Sequence, residues 1–228
     1  MRRKGELALS KKWGLGLILL LLASLGITGC QSLCRSFAPA ASTDPAAGLT
    51  RSAVAFRFEQ RMLWGQHLEW NRMLMLSILE NLPDQAEVTA RLVRNQQDMV
   101  ESLQPLYGNE PAEQFGRLLD NHTAITIELI KAQKAGDAAA SRLIEERWYR
   151  NADALAGFLS TINPNWPQKP IAAMLKQYLT LIQAELTARL AKDYAGDIAA
   201  YDKLEIQAFR MADGLAEGII KQFPDKFR

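Results

Sequence analysis

The sequence is poor in the residues that build disulfide frameworks and zinc sites. It holds two cysteines and two histidines in 228 residues, too few to cross-link a fold. They do not stand at the spacing of zinc ligands. Apolar residues make up 48% and charged residues 23% of the chain, which excludes a disordered or collagen-like protein. A globular chain of one domain, or of two small ones, is left.

Several functional signatures are also missing. There is no glycine-rich phosphate loop, no Gly-x-Ser-x-Gly motif and no Cys-x-x-Cys-His motif, so we expect no nucleotide partner, no serine-hydrolase elbow and no covalent haem. After residue 29 the chain holds 22 basic and 24 acidic side chains. This balance provides no basic surface for nucleic acid. No catalytic motif is found, and we do not expect an enzyme.

The first 29 residues have the pattern of an export signal. Residues 1–13 are basic, and residues 14–28 form an uncharged run, GLGLILLLLASLGIT. The run is shorter than the roughly 20 residues of a membrane span but matches the apolar part of a signal peptide. Because the basic residues keep the N-terminus in the cytoplasm, the remainder of the chain is expected outside it.

The end of this run resembles the lipobox of bacterial lipoproteins. The residues are Ile27-Thr28-Gly29-Cys30, an aliphatic residue and two small ones before a cysteine. The resemblance implies that residues 1–29 are removed and that Cys30 carries a diacylglyceryl group anchoring the protein to a bacterial membrane. Two acyl chains give stable anchoring. Cys34 is either a bystander, a second acylation site or a site for an intermolecular disulfide.

Residues 31–50 read as a flexible tether between the lipidated cysteine and the folded body. They are rich in alanine, serine, threonine and proline and show no hydrophobic periodicity. Twenty such residues span about 25 Å as a random coil. The tether would lift a domain comprising residues 51–228 off the bilayer.

The body is expected to be all-α. Strand signals are missing, helix-forming residues dominate, and the prolines fall between periodic segments. The pattern predicts six helices, at about 51–81, 84–107, 109–135, 137–162, 171–194 and from 197 to 222. The predicted N-caps are Asp84, Asn109, Asp137 and Asp197, with Gly136 and Gly196 as helix stops.

Short repeated motifs organise these helices into three hairpins. Residues 135–139, AGDAA, recur as AGDIA at 195–199, and residues 152–156, ADALA, recur as ADGLA at 212–216. Earlier, residues 63–67 align with residues 118–122. Repeating hairpins of this length favour a single helical bundle, because each unit buries its apolar face against its neighbours.

The two histidines occupy matching positions in the first two hairpins. His67 precedes Asp98 by 31 residues, and His122 precedes Asp153 by the same interval. Each histidine lies before a predicted turn and each aspartate after it, so antiparallel packing would bring them to a similar depth. The candidate metal ligands are therefore His67, His122, Asp98 and Asp153.

Three interpretations of these pairs remain open. In the third hairpin Tyr178 takes the histidine position and Asp213 follows; this favours a buried hydrogen bond that fixes helix register. Alternatively, the bundle core holds a divalent metal or a bis-histidine haem. The third interpretation is acid–base catalysis, which would also need a cleft.

The body also resembles an uncharacterised family of small all-helical bacterial proteins. The segments that carry the resemblance are LWGQHLEWNRM at 63–73, LPDQAEVTARLVRN at 82–95, RWYRNADALAGFLSTINPNW at 147–166 and MADGLAEGIIKQFPDKF at 211–227. Some relatives carry the label acetylglutamate kinase, an activity that needs strands and glycine-rich phosphate loops. The resemblance implies a helical fold and no secure activity.

The sequence therefore predicts an exported, membrane-anchored lipoprotein. Its helical bundle would act as a binding or interaction module, possible partners being envelope proteins, with no cofactor. The alternative is a metal- or haem-binding envelope protein that uses His67 and His122 in the bundle core.

Overall fold

Six α-helices and a short C-terminal 3-10 helix make up residues 50–228, the part of the chain that the computed structural model describes. The helices are α1 Arg51–Glu80, α2 Gln85–Tyr107, α3 Asn109–Lys134, α4 Ala138–Ile162, α5 Gln168–Leu190 and α6 Tyr194–Gln222, followed by the 3-10 helix Pro224–Phe227. No strand occurs among these residues. The predicted all-α class and the six helices are confirmed. The predicted signal peptide, the lipidation site Cys30, Cys34 and the tether up to residue 49 lie outside the described residues.

The helices pack as one bundle whose ends meet. Each helix lies against the next along the chain, and α6 returns to pack against α1. Helix α1 also touches α3. Large side chains such as Trp148, Leu204 and Met211 are buried where these helices converge. Burial of apolar surface at about 25 cal/mol per Å² is the main force that holds such a bundle together. None of the helices in residues 50–228 has the length and hydropathy needed to cross a bilayer.

The turn between α5 and α6 differs from the prediction. Helix α5 ends at Leu190, and Lys192 adopts a left-handed conformation with φ 59°. Asp193 then caps α6 by accepting a hydrogen bond from the Gly196 backbone N–H at 2.9 Å. The predicted stop-and-cap pair at Gly196 and Asp197 is therefore wrong, because both residues lie inside α6.

The other predicted caps have mixed outcomes. Asp137 is confirmed, because its carboxylate accepts from the Ala140 backbone N–H at 2.9 Å. Asp84 makes no capping bond and instead accepts from the Ser77 hydroxyl at 2.7 Å. Asn109 is the first residue of α3 rather than its cap. Pro105 lies inside α2, in its last turn, rather than between helices.

A buried ionic cluster joins α1, α5 and α6. The Arg72 guanidinium contacts the carboxylates of Glu185 and Asp197, the latter at 2.7 Å. Arg189 reaches Asp197 at 3.5 Å and Glu80 at 2.9 Å. Glu185 and Asp197 are 3% and 1% exposed, so these charges are largely removed from water and depend on each other for compensation.

Candidate functional site: a cavity in the centre of the bundle

A small enclosed cavity lies in the centre of the bundle. Its volume is about 30 Å³, enough for one or two water molecules. Most of its wall is apolar, with Trp64, Phe115 and several leucines. The polar side chains that line it are His67, His122 and Tyr178, and the thioether side chain of Met211 lies beside them. The structure thus brings together the two histidines that the sequence selected.

His67 is held by an asparagine on the neighbouring helix. Its Nδ1 lies 3.3 Å from Oδ1 of Asn95, and Asn95 Nδ2 donates to the Leu63 carbonyl at 3.1 Å. Because the Asn95 amide nitrogen faces that carbonyl, its oxygen faces the imidazole, and His67 Nδ1 carries the hydrogen. The lone pair of the ring is therefore on Nε2, for which the described residues provide no donor.

His122 repeats this arrangement one hairpin later. Its Nδ1 lies 2.8 Å from Oδ1 of Asn151, whose Nδ2 donates to the Leu118 carbonyl at 3.2 Å. The same reasoning places the hydrogen on Nδ1 and the lone pair on Nε2. That lone pair receives the Trp148 indole N–H at 3.1 Å, and the indole also donates to the Thr126 hydroxyl at 2.8 Å.

The third hairpin has the same construction with different residues. Gln207 Nε2 donates to the Met174 carbonyl at 3.2 Å, as the two asparagines do to Leu63 and Leu118. Tyr178 follows Met174 by four residues, as each histidine follows its carbonyl. The Tyr178 hydroxyl is buried and has no hydrogen-bond partner among residues 50–228. It is 5% exposed, and such an unpaired hydroxyl costs about 1–3 kcal/mol.

Equivalent positions in the three hairpins stand 55 or 56 residues apart. The cavity residues are His67, His122 and Tyr178, the amides are Asn95, Asn151 and Gln207, and the carbonyls belong to Leu63, Leu118 and Met174. The interval of 60 residues used in the sequence comparison of the last two hairpins does not match these contacts.

Burial keeps the polar groups of the cavity uncharged at neutral pH. Desolvation lowers the pKa of His67 to about 4, the charge of a protonated His122 lowers it further, and the Asn95 hydrogen bond opposes both. Desolvation likewise lowers the pKa of His122 to about 4, against the Asn151 hydrogen bond. Burial raises the pKa of Tyr178, and the nearby Glu185 charge adds to the effect. The cavity therefore presents neutral imidazoles and a neutral phenol.

The aspartates predicted to accompany the histidines lie elsewhere. Asp98 lines an outer groove formed by α1 and α2, and Asp153 is exposed and pairs with Lys176 at 2.8 Å. Asp213 pairs with Arg61 on the surface. The structure pairs the histidines with Asn95 and Asn151 instead, two or three residues earlier on the same helices. A signal existed in the sequence, because both asparagines follow an arginine and stand 56 residues apart.

The cavity limits what could occupy it. A haem needs a pocket of at least several hundred Å³, so the cavity has no room for this group. In the described part of the chain, no three His, Cys, Asp or Glu side chains come close enough to hold a metal ion. Any metal in this cavity would have to use the two imidazoles with the thioether or the phenol.

Comparison of the chain with protein-family models, with curated proteins and with solved structures finds no match.

Proposed function

We propose that this protein is an exported, lipid-anchored module that binds a small ligand in the centre of its helical bundle. The observation that carries the proposal is the convergence of His67, His122 and Tyr178 on one cavity. A core selected only for stability would fill this space with apolar side chains, since an unpaired buried hydroxyl is destabilising. The Tyr178 hydroxyl has no partner within residues 50–228, so a bound group would satisfy it.

The geometry favours binding over catalysis. The cavity is enclosed, and its volume of about 30 Å³ is far below the roughly 300–1,000 Å³ of ordinary substrate pockets. Each imidazole is fixed in one orientation by an amide that is itself fixed to a backbone carbonyl. Fixed polar groups around a small space suit a ligand of very few atoms.

The anchoring part of the proposal rests on the sequence. The basic segment, the apolar run and the motif Ile27-Thr28-Gly29-Cys30 follow one another in the order required for export and lipidation. A tether of about 20 residues then leads to the first helix, which starts at Arg51. This order supports a body held near a membrane surface outside the cytoplasm.

We also infer that the three helical hairpins are copies of one unit of about 56 residues. The support is the set of equivalent contacts that each hairpin makes to a backbone carbonyl. The left-handed residues Asn81, Gly136 and Lys192 after α1, α3 and α5 follow the same interval. In a threefold arrangement of this kind, one residue from each copy reaches the centre, and the cavity is built from those three positions.

The lipid anchor is tested by replacing Cys30. We expect Cys30→Ala to abolish metabolic labelling with a radioactive fatty acid and to leave the precursor uncleaved, because the thiol is the acceptor of the diacylglyceryl group. Electrophoresis of membrane fractions measures both effects.

Cys34→Ala is the matched control, since it removes a thiol four residues away. It should leave labelling and processing unchanged. Normal processing of the Cys30→Ala chain would rule out the lipid anchor, and loss of label in Cys34→Ala alone would move the acylation site.

A further inference from the structure

The cavity presents a set of donors that are all neutral. His67 and His122 each have the hydrogen on Nδ1, and the amide oxygens of Asn95 and Asn151 accept it. Histidines that bind metals are held in this way, by an acceptor at the ring nitrogen that does not bind the metal. The pairing fixes the tautomer in advance and leaves the Nε2 lone pair available.

The lone pair of His122 is shared in a manner that permits its release. The Trp148 indole N–H contacts both His122 Nε2 at 3.1 Å and the Thr126 hydroxyl at 2.8 Å. The indole has one hydrogen to donate, and the threonine is the nearer acceptor. Trp148 therefore keeps a hydrogen bond if His122 Nε2 binds something else.

Met211 adds a sulfur donor to the same cavity. Its side chain is fully buried and lines the cavity together with both histidines. Thioether sulfur is a soft, uncharged ligand that selects Cu(I), and imidazole nitrogen also suits copper. The Tyr178 oxygen is a weaker, neutral donor at the edge of this set.

The absence of a carboxylate from the cavity wall decides the charge of the ion. No aspartate or glutamate is among the side chains that line it. A divalent ion would bring two uncompensated charges into an apolar interior, whereas a monovalent ion brings one. Hard ions such as Mg²⁺ and Ca²⁺ require oxygen ligands, which the cavity does not supply in number.

We propose that the central cavity is a binding site for one Cu(I) ion, with the imidazoles of His67 and His122 and the thioether of Met211 as ligands. The inference rests on the proposed ligand-binding role of the cavity and is independent of the lipid anchor. Cu(I) is d¹⁰, imposes no fixed geometry and accepts two or three neutral ligands. The size of the cavity excludes larger groups.

The test is an anaerobic titration of the metal-free chain with Cu(I) against a chromophoric Cu(I) chelator. The full chain carries Cys30→Ser and Cys34→Ser, because free thiols would bind Cu(I) themselves. We expect one Cu(I) per chain, and X-ray absorption should show nitrogen and sulfur neighbours. Met211→Leu, which keeps the buried volume, should weaken binding about tenfold or more, as loss of a supporting group at a metal site does.

Met75→Leu is the matched control, because Met75 is also buried but lies in a separate cluster near the α1–α2 turn. It should leave the Cu(I) affinity unchanged. His67→Gln should reduce binding further, and circular dichroism establishes that each variant is folded. Tyr178→His provides a gain-of-function variant that does not depend on loss of stability, since a third imidazole should strengthen binding.

Two outcomes would overturn the inference and are distinguishable. If Zn²⁺ binds in a manner that depends on His67 while Cu(I) does not, the cavity is a ligand site for a different ion. If neither ion binds, and Tyr178→His binds none either, the ligand-binding role of the cavity fails as well. Equal Cu(I) affinity in the Met211→Leu and parent chains would remove the sulfur ligand from the proposal.

Discussion

At the scale of single residues, amides rather than carboxylates hold the two histidines. An asparagine side chain donates and accepts at once, so Asn151 satisfies the Leu118 carbonyl and the His122 Nδ1–H together. An ionised aspartate accepts only and would bring a charge into the core, where the desolvation penalty is several kcal/mol. The neutral side chain is therefore the stable choice at a buried position between helices.

This assignment predicts different costs for two neighbouring substitutions on α4. Asn151→Ala should lower the free energy of unfolding by about 2–3 kcal/mol, because it removes two buried hydrogen bonds and leaves the His122 Nδ1–H without its acceptor. Asp153→Ala should cost less than about 1 kcal/mol, because its bond to Lys176 is an exposed ion pair. Urea denaturation of both variants measures the difference. A larger loss for Asp153→Ala would restore the aspartate as the partner of the histidine.

The sequence identified the histidines but not their partners. His67 and His122 could be selected because they are the only histidines and occupy matching places. Their partners could not, since the choice between Asn95 and Asp98 depends on the rotation of α2 about its axis. Three residues along a helix rotate a side chain by about 300°, and only the packed structure shows which face is turned inward.

At the scale of helices, the turns inside the hairpins share one backbone feature. Asn81, Gly136 and Lys192 have φ values of 53°, 72° and 59°, in the left-handed region that ends many helices. Asparagine and glycine tolerate this conformation, whereas it costs a residue such as lysine about 1–2 kcal/mol. The helices are thus terminated at equivalent places by residues of unequal suitability.

We therefore expect Lys192→Gly to raise the free energy of unfolding by about 0.5–1 kcal/mol. Glycine removes the strain of the left-handed conformation and loses part of the gain to its larger entropy in the unfolded chain. Thermal unfolding followed by circular dichroism measures the change.

Gly136→Ala is the converse variant at the equivalent turn. A Cβ at this position would meet no atom within 4 Å, so any loss comes from φ alone and should be about 1 kcal/mol. If Lys192→Gly is destabilising while Gly136→Ala is neutral, left-handed strain does not govern these turns.

The helix boundaries show where sequence reasoning succeeds at this scale. The end of α3 was predictable because Gly136 and Asp137 are strong local signals for a stop and a cap. The end of α5 was not, since Lys192 carries no such signal and Gly196, four residues later, resembles one. The AGDIA motif therefore shifted the predicted turn by one helical turn.

At the scale of the whole molecule, contacts between the two ends of the chain close the bundle. At one end of α1, Phe56 packs against Phe227 with ring centroids 5.0 Å apart, and the Thr50 hydroxyl donates to the Phe227 carbonyl. Towards the other end, Arg72 joins α1 to α5 and α6 through Glu185 and Asp197. These pairings join residues more than 100 positions apart, so no local pattern in the sequence could reveal them.

The ionic cluster at this closure has more buried negative charge than its arginines neutralise. Asp197 receives both Arg72 and Arg189, whereas Glu185 shares Arg72 alone. Burial raises the pKa of Glu185 from its ordinary value of 4.5 to about 7, and the Asp197 charge adds to this rise, against the attraction of Arg72. The charges of Glu185 and of Arg72 also act on Tyr201, which stacks against the Arg72 guanidinium.

The raised pKa makes the stability of the protein depend on pH between about 4.5 and 7. In this interval the folded chain holds a proton on Glu185 that the unfolded chain has released, so the stabilisation is complete below pH 4.5 and is lost as the pH rises through 7. Glu185→Gln cannot titrate and keeps a neutral group of the same size.

We therefore expect the Glu185→Gln chain to gain stability relative to the parent chain by about 1–3 kcal/mol between pH 5 and pH 8. Urea denaturation at several pH values measures this difference, and Glu205→Gln, at an exposed position of α6, should show none of it. A constant difference between the Glu185→Gln and parent chains would mean that Arg72 keeps Glu185 ionised throughout. The closure of α1 onto α5 and α6 would then depend on a fully charged cluster, and loss of either Glu185 or Asp197 would leave Arg72 with half of its compensation.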